Sequence, residues 1–452
     1  MVMKNTNTFP VLHPASSISD MLKNGSTKIK SAKGIHIKDE FGHTLIDGIA
    51  GLWCANLGHG REEIADSMAN AVRNLDYFHT FGGFSNDDQD RLGTRLTDMS
   101  PEGLDHVFFG SSGSDANDTL LKIVWYYNNV LGRPQKKKII SRWGAYHGTS
   151  ISTASLTGLK GFHKRFDLPI DRILHTDCPH YYRFAQKGES ESEFAARLLS
   201  NLDELIQAQD PNTIAAFIGE PLMGAGGVVP PPKGYWHGVQ KICKQYDILL
   251  IADEVVCGFG RTGRDFGSQT FGIVPDMMAT AKAITAGVFP FSAAFLSKEI
   301  WGILRDASEE YGNFAHGYTY SGHPVGAAVA NTVLDIYERE NLAANAKNIG
   351  AYLMASLSEE LHEHPNVGEI RGAGLVCAVQ LVENKEGPIF YDPSKKLPAK
   401  IANEAYKRGL IIRPLPSVGA LAFSPPLVIN KSEVDEMIEI FVSALNAILP
   451  LA

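Results

Sequence analysis

Four short apolar runs constrain what this chain can fold into. "HVFFG" (His106–Gly110), "KKIIS" (Lys137–Ser141), "IAAFIGEP" (Ile214–Pro221) and "DILLIADEV" (Asp247–Val255) each end in glycine or a polar residue. They read as strands buried on both faces. Between them, Glu193–Gln207 carries Phe194, Leu198, Leu202, Leu205 and Ile206 at helical spacing. Strands alternating with crossover helices predict an α/β sheet covered by helices, with ligands at the carboxyl ends of its strands.

A chain of 452 residues is long for a single core, so a large domain with a smaller lobe is expected. After "SGHPVGAAVANTVLDIYE" (Ser321–Glu338) the pattern turns to long helices with a short strand set near "RGAGLVCAVQLV". The last helix is expected to start at Ser432, with Asp435 completing a capping box. "GIHIKDEFGHTLIDG" looks like a strand-turn-strand hairpin. The expected division is 1–60 and 321–452 for a small α+β domain built from both termini, and 61–320 for the large domain. No internal repeat is visible.

The formal net charge of -8 argues against a nucleic-acid partner. The run Lys136-Lys137-Lys138 is expected to be a solvated turn before a strand. Five cysteines, Cys54, Cys178, Cys243, Cys257 and Cys377, show no CxxC spacing, the pattern of reduced thiols in a cytosol. The opening "MVMKNTNTFPVLHP" lacks the apolar core of a signal peptide. Met277–Ser297 is long and apolar but holds Lys282, Gly287 and Pro290, so buried strand and loop is expected rather than a membrane span. A soluble, cytoplasmic protein is expected.

Lys282 is the only charged residue between Met277 and Ser297. Lysines are rarely buried without a use for the nitrogen, and desolvation lowers the amine's pKa and frees its lone pair. In "FFGSSGSDANDTLLKIVWYY" the residues Ser111, Ser112, Gly113 and Ser114 stand between a strand and a helix. Amide N–H groups and hydroxyls converging there suit a phosphate, although a plain serine cap is the ordinary alternative. Asp253 ends an apolar strand, where a carboxylate can keep a ring nitrogen protonated. Gly258-Phe259-Gly260-Arg261-Thr262-Gly263 also follows that strand, but no helical apolar period follows, which weakens a dinucleotide reading. A phosphate turn, an acid for a ring nitrogen and a solitary lysine together describe pyridoxal phosphate.

Other features have bland alternatives. His175, Cys178 and His180 are spaced for a metal but lack a second cluster, so no metal is expected. Tyr146-His147 is either a core aromatic pair or a stacking face for a cofactor ring. Arg413 is either a lobe-surface charge or a clamp for a substrate carboxylate.

These residues resemble the class III (ω-) aminotransferases among fold type I pyridoxal-phosphate enzymes. The likeness runs through "IDGIAGLWCANLGHG", "SSGSDAND", "AYHG", "IGEPLMGAGGVVPPPKGY", "ADEVVCGFGRTG", "ATAKAIT", "HGYTYSGHP" and "SPPLVI". Within that family the chain looks most like the amine:pyruvate, ω-amino acid:pyruvate and putrescine:pyruvate group. The resemblance implies that Lys282 bonds the cofactor aldehyde and later moves the proton, and that Asp253 pairs with the pyridinium. Val255 and Tyr146 would cover the ring's two faces, with His147 beside them. Ser112, Gly113 and Ser114 would hold the phosphate, and Glu220 would bridge to the Asp253 region through hydrogen bonds. Thr319 would reach the phosphate of a neighbouring subunit, implying a homodimer with shared sites and an open question of dimer or tetramer. Trp53 and Phe81 would line the substrate pocket, and Arg413 would bind a carboxylate.

The implied reaction moves an amino group from an amine to a keto acid, most simply pyruvate. The same fold also serves decarboxylases, aminomutases and non-catalytic cofactor binders. Five positions depart from the family pattern. Asp115 stands where Glu is usual, and Phe291-Ser292 replaces Met-Gly. Ala15 and Gly82 replace bulky aromatics, which implies a roomier pocket.

Overall fold

The computed structural model describes residues 11–385 and 388–450. The opening stretch Met1–Pro10, part of the segment read above for a signal peptide, lies outside them. The predicted apolar runs all become strands of one seven-stranded sheet. In chain order these are β1 (Leu104–Gly110), β2 (Lys138–Arg142), β3 (Ile173–Thr176), β4 (Ile214–Gly219), β5 (Leu249–Asp253), β6 (Met277–Thr280) and β7 (Ser292–Ser297). Their spatial order is β1-β7-β6-β5-β4-β2-β3. Only β7 runs against the others, pairing antiparallel with both β1 and β6. The carboxyl ends of the other six therefore lie along one edge. Every residue of β4 and β6 is buried, as helices on both faces require.

The helix α1 (Gly113–Val130) follows β1, and α2 (Glu191–Ala208) buries Phe194, Leu198, Leu202 and Ile206 as the spacing predicted. The lone lysine's segment is strand, turn and strand. No described helix is long and apolar enough to cross a membrane.

Two four-stranded sheets flank the large one. In the first, Ile29–Lys33, His36–Asp39 and Thr44–Asp47 form an antiparallel meander, joined in parallel by Leu410–Ile411 from the far end of the chain. The second is antiparallel, with Val367–Ala373, Val376–Leu381, Ala420–Phe423 and Arg413–Leu415 in that order. The chain thus changes sheets at Ile412, one residue before Arg413. A division at 320/321 falls just before the helix Pro324–Arg339, which serves two cores. Its Ala327, Ala330 and Leu334 meet Leu92, Leu96 and Phe295, and its Val329, Val333 and Ile336 meet the C-terminal helices.

Two local expectations are corrected. The last helix, Lys431–Ile448, is capped by Asn430, and Glu433 rather than Asp435 closes the box. The Asn430 oxygen takes the Glu433 N–H two residues before the predicted start, so the helix begins earlier. Lys136 is not solvated: it is 5 % exposed, and its ammonium donates to the carbonyls of Tyr246 and Asp247. Backbone carbonyls at the end of a neighbouring helix replace water there.

Arg261, fully buried, ties the lobes together. Its guanidinium donates to Leu375 O (2.8 Å), Pro425 O (2.7 Å) and Asn56 Oδ1 (2.6 Å), three segments distant in sequence. Burial lowers its pKa to about 10, with Cys54, Asp47 and Cys257 opposing. Replacing Arg261 by Met strands three buried acceptors at about 1–3 kcal/mol each. We expect a loss of about 4 kcal/mol, seen as a fall of about 4 °C in thermal midpoint by calorimetry. An unchanged midpoint would show that the tie carries no stability.

Candidate active site

Five chain segments reach the same edge of the sheet. The ends of β1, β2, β4, β5 and β6 present Ser111–Ser114, Tyr146-His147, Glu220, Asp253 and Lys282 respectively. Topology alone therefore gathers groups up to 171 positions apart in the chain.

Asp253 closes β5 and is 3 % exposed. Its Oδ2 accepts from His147 Nδ1 (2.7 Å) and Asn117 Nδ2 (2.8 Å), and its Oδ1 from the Val255 N–H (3.1 Å). Burial works to raise its pKa. The His147 hydrogen bond and charge, the Asn117 amide and the Val255 N–H outweigh that and hold it below the usual carboxylate range. The result is a buried anion fixed in direction.

Lys282 begins the one-turn helix Lys282–Thr285 with φ 50°, a left-handed conformation costly for a lysine. Its side chain is half-buried and, among the described residues, makes no hydrogen bond or ion pair. Burial lowers the amine's pKa, Asp253, Cys54 and Glu220 oppose it, and Arg413 adds to it.

The turn between β1 and α1 divides its donors. Asp115 accepts the Ser111 and Ser112 N–H groups (2.8 and 3.1 Å), while Ser112 Oγ accepts from Asp115 N (3.2 Å). The N–H groups of Gly113 and Ser114, in the first turn, have no acceptor within the helix. Ser114 Oγ accepts from Thr149 N (3.1 Å), which leaves its proton to donate outward. A Cβ on Gly113 would lie 2.9 Å from a Val255 methyl, so glycine lets the turn close down on the strand end.

Glu220 is 2 % exposed and accepts from Tyr146 N (3.0 Å) and Gly224 N (2.8 Å). Burial raises its pKa, with His147 opposing. The expected bridge to Asp253 is replaced by a different link. Glu220 pins the Tyr146 turn to the loop at Gly224, and a Cβ on Gly224 would strike the Trp53 ring at 2.5 Å. Trp53 is 3 % exposed and sits with Leu222, Leu415 and Ala422. Phe162 meets the Tyr146 ring edge-on at 5.5 Å. Burial pushes the Tyr146 phenol up, aided by Asp253, with Arg413 opposing.

Arg413 begins its strand opposite Ala422, and its Nε is buried without a partner. Among the described residues no carboxylate pairs with it. Burial lowers its pKa, and Tyr146 opposes.

Thr319 and Phe81 are exposed, Phe81 at 48 %. They lie near one another: Tyr77 Oη donates to Thr319 O (2.8 Å), and Phe81 borders Gly317. Ala15 and Gly82 are exposed as well. His175 stacks on Trp143 at 4.3 Å while His180 faces Glu369 at 3.4 Å, so the metal-like spacing does not converge. The glycine-rich run after β5 forms turns, and the helix that follows, Gly267–Phe271, has five residues.

Sequence reasoning missed Asn117, whose amide also donates to His147 O (2.9 Å). Its signal was the four-residue spacing from Gly113 on one helix face.

The residues present fit pyridoxal phosphate: an amine and a turn of N–H donors that lack partners among the described residues, and a fixed anion at an adjacent strand end. Such a sheet and edge define a fold type I pyridoxal-phosphate transferase. The class-III aminotransferase model matches residues 20–445, and the chain belongs to that family. It is 46 % identical to the diaminobutyrate–2-oxoglutarate transaminase of Halomonas elongata over 93 % of this chain and 90 % of that one. It is 42 % identical to gamma aminobutyrate transaminase 1, mitochondrial, of Solanum lycopersicum, over 92 % and 81 %. The omega transaminase from Pseudomonas jessenii, solved in complex with PMP, superposes with a TM-score of 0.95 at 44 % identity, covering 98 % of each chain. The protein is a pyridoxal-phosphate-dependent aminotransferase.

Proposed function

We propose that this aminotransferase takes the amino group from an amine or ω-amino acid and passes it to a monocarboxylic keto acid, pyruvate above others, in a ping-pong cycle. The observation that carries the acceptor is Arg413, a half-buried guanidinium with no carboxylate partner among the described residues. One such cation suits one carboxylate. That favours pyruvate over 2-oxoglutarate, the acceptor named for the Halomonas relative.

When bound, pyridoxal phosphate supplies a carbonyl that bonds amines and a ring that accepts the electron pair of a broken C–H bond. Lys282 Nζ would hold that carbonyl and would move the proton of the donor's α-carbon. Asp253 would keep its negative charge for the ring nitrogen, with His147 and Asn117 fixing the carboxylate's direction. Tyr146, Val255, Ser112, Gly113 and Ser114 would hold the ring and the phosphate, and Trp53 and Phe81 would bound the substrate space.

Tyr77, Phe78, Phe81, Phe84 and Tyr320 are each more than a third exposed. This apolar patch, holding Thr319 at its rim, supports a homodimer in which Thr319 serves the neighbour's phosphate. A cytoplasmic location fits the absence of any spanning helix among the described residues.

The test is a half-reaction panel. Putrescine, β-alanine, γ-aminobutyrate, 6-aminohexanoate, 1-phenylethylamine and a bulkier amine are each mixed with the loaded enzyme, and the cofactor spectrum is followed. Pyruvate and 2-oxoglutarate are compared as acceptors. Bleaching by none of the amines sinks the donor class, and failure with the bulkier amine sinks the roomier pocket implied by Ala15 and Gly82. Arg413→Ala is expected to lower kcat/KM for pyruvate about 100-fold, a charged hydrogen-bonded pair being worth about 1.5–3 kcal/mol. The half-reaction with 1-phenylethylamine should stay within about threefold of the parent. Equal losses on both sides would remove Arg413 from carboxylate binding.

A further inference from the structure

We propose that Ser292 is a positioning residue for the phosphate turn, acting through Asp115; the inference rests on reading Ser112–Ser114 as that turn. Ser292 opens β7 directly opposite Gly110, the last residue of β1, and is fully buried. Its Oγ donates to Asp115 Oδ1 at 2.8 Å. The same carboxylate accepts the Ser111 and Ser112 N–H groups. It therefore sets the shape of the turn and decides which amides remain for a ligand. A hydroxyl on Oδ1 fixes the carboxylate's orientation. It also answers part of a negative charge that stands one helical turn from an incoming phosphate.

The space is full. A Cβ on Gly110 would lie 2.5 Å from Asp115 Oδ1 and 2.7 Å from Ser292 Oγ. A longer acid at 115 has no room while the hydroxymethyl group stays. Asp115 and Ser292 meet at hydrogen-bond distance in one filled space, so the two side chains form one fitted unit.

The full chain, freed of cofactor, is titrated with pyridoxal phosphate and with pyridoxal, which lacks the phosphate, following the quench of protein fluorescence. In Ser292→Ala the dissociation constant for pyridoxal phosphate should rise about tenfold, the loss of one charge-assisted hydrogen bond. That for pyridoxal should stay within about twofold. Asp115→Glu alone should weaken pyridoxal phosphate by a similar factor. Asp115→Glu combined with Ser292→Gly should return to within about threefold of the parent.

Equal weakening toward both ligands means a merely structural serine and overturns the proposal, as does no change toward either. A double variant no better than the product of its single changes overturns the fitted unit. A parent that binds pyridoxal phosphate no tighter than pyridoxal overturns the phosphate turn itself, and the Ser292 role with it.

Discussion

Replacing Lys282 by Ala is expected to slow amino transfer by about four orders of magnitude, because on the proposed mechanism it removes the covalent anchor and the proton carrier together. The physical setting makes this residue hard to replace. Its amine lies half-buried, without hydrogen bond or ion pair among the described residues, and a left-handed φ of 50° starts its one-turn helix just past the end of β6. Burial lowers its pKa and so enlarges the neutral, nucleophilic fraction near pH 7, although Asp253, Cys54 and Glu220 pull the other way. The parent should be yellow after reconstitution and should keep a borohydride-trapped adduct on Lys282, located by peptide mass spectrometry. The Ala variant should show neither. Retention of more than about a tenth of the parent rate would remove Lys282 from the chemistry.

Asp253→Asn should cost about three orders of magnitude in kcat. A carboxylate about 4 Å from a ring nitrogen at an effective dielectric near 20 contributes about 4 kcal/mol, or about three pKa units. The amide keeps the size of the acid, but it loses the charge that favours a protonated ring. The neighbours make the charge available. Burial alone would raise the Asp253 pKa, yet the His147 and Asn117 hydrogen bonds and the Val255 N–H keep it lowered. The sign follows: a depressed folded pKa leaves Asp253 ionised across neutral pH, and its contribution falls only as acid protonates it. The readout is kcat against pH together with the ultraviolet-visible spectrum of the bound cofactor. An Asn variant within tenfold of the parent at pH 7 would mean that ring protonation does not limit the rate.

Much of this was legible because it is local. A solitary lysine in an apolar run, a serine-glycine turn after a strand and an acid closing another strand are patterns of neighbouring residues. Buried strands announce themselves by unbroken apolar runs. Asn117, by contrast, looks like any polar residue of a helix until β5 is laid beside it. Ser292 looks like a substitution of no consequence until β7 pairs with β1 and brings its hydroxyl to Asp115. Lys136 read as solvated because its partners, two carbonyls at Tyr246 and Asp247, lie far along the chain. Asn430 took the helix cap from Ser432 because two polar candidates stand two residues apart, and only backbone geometry separates them.

By itself the sequence determined the layered α/β class and the family, and it singled out the candidate chemistry-bearing side chains. Burial periodicity and turn chemistry are short-range properties written into adjacent residues. Only the tertiary structure decided who holds whom: His147 and Asn117 on Asp253, Glu220 on the Tyr146 turn, Arg261 across three segments, Arg413 left without a partner among the described residues. Those pairings depend on strand order and sheet crossing. Hydrogen bonds act over about 3 Å, whereas the groups they join lie tens to hundreds of residues apart.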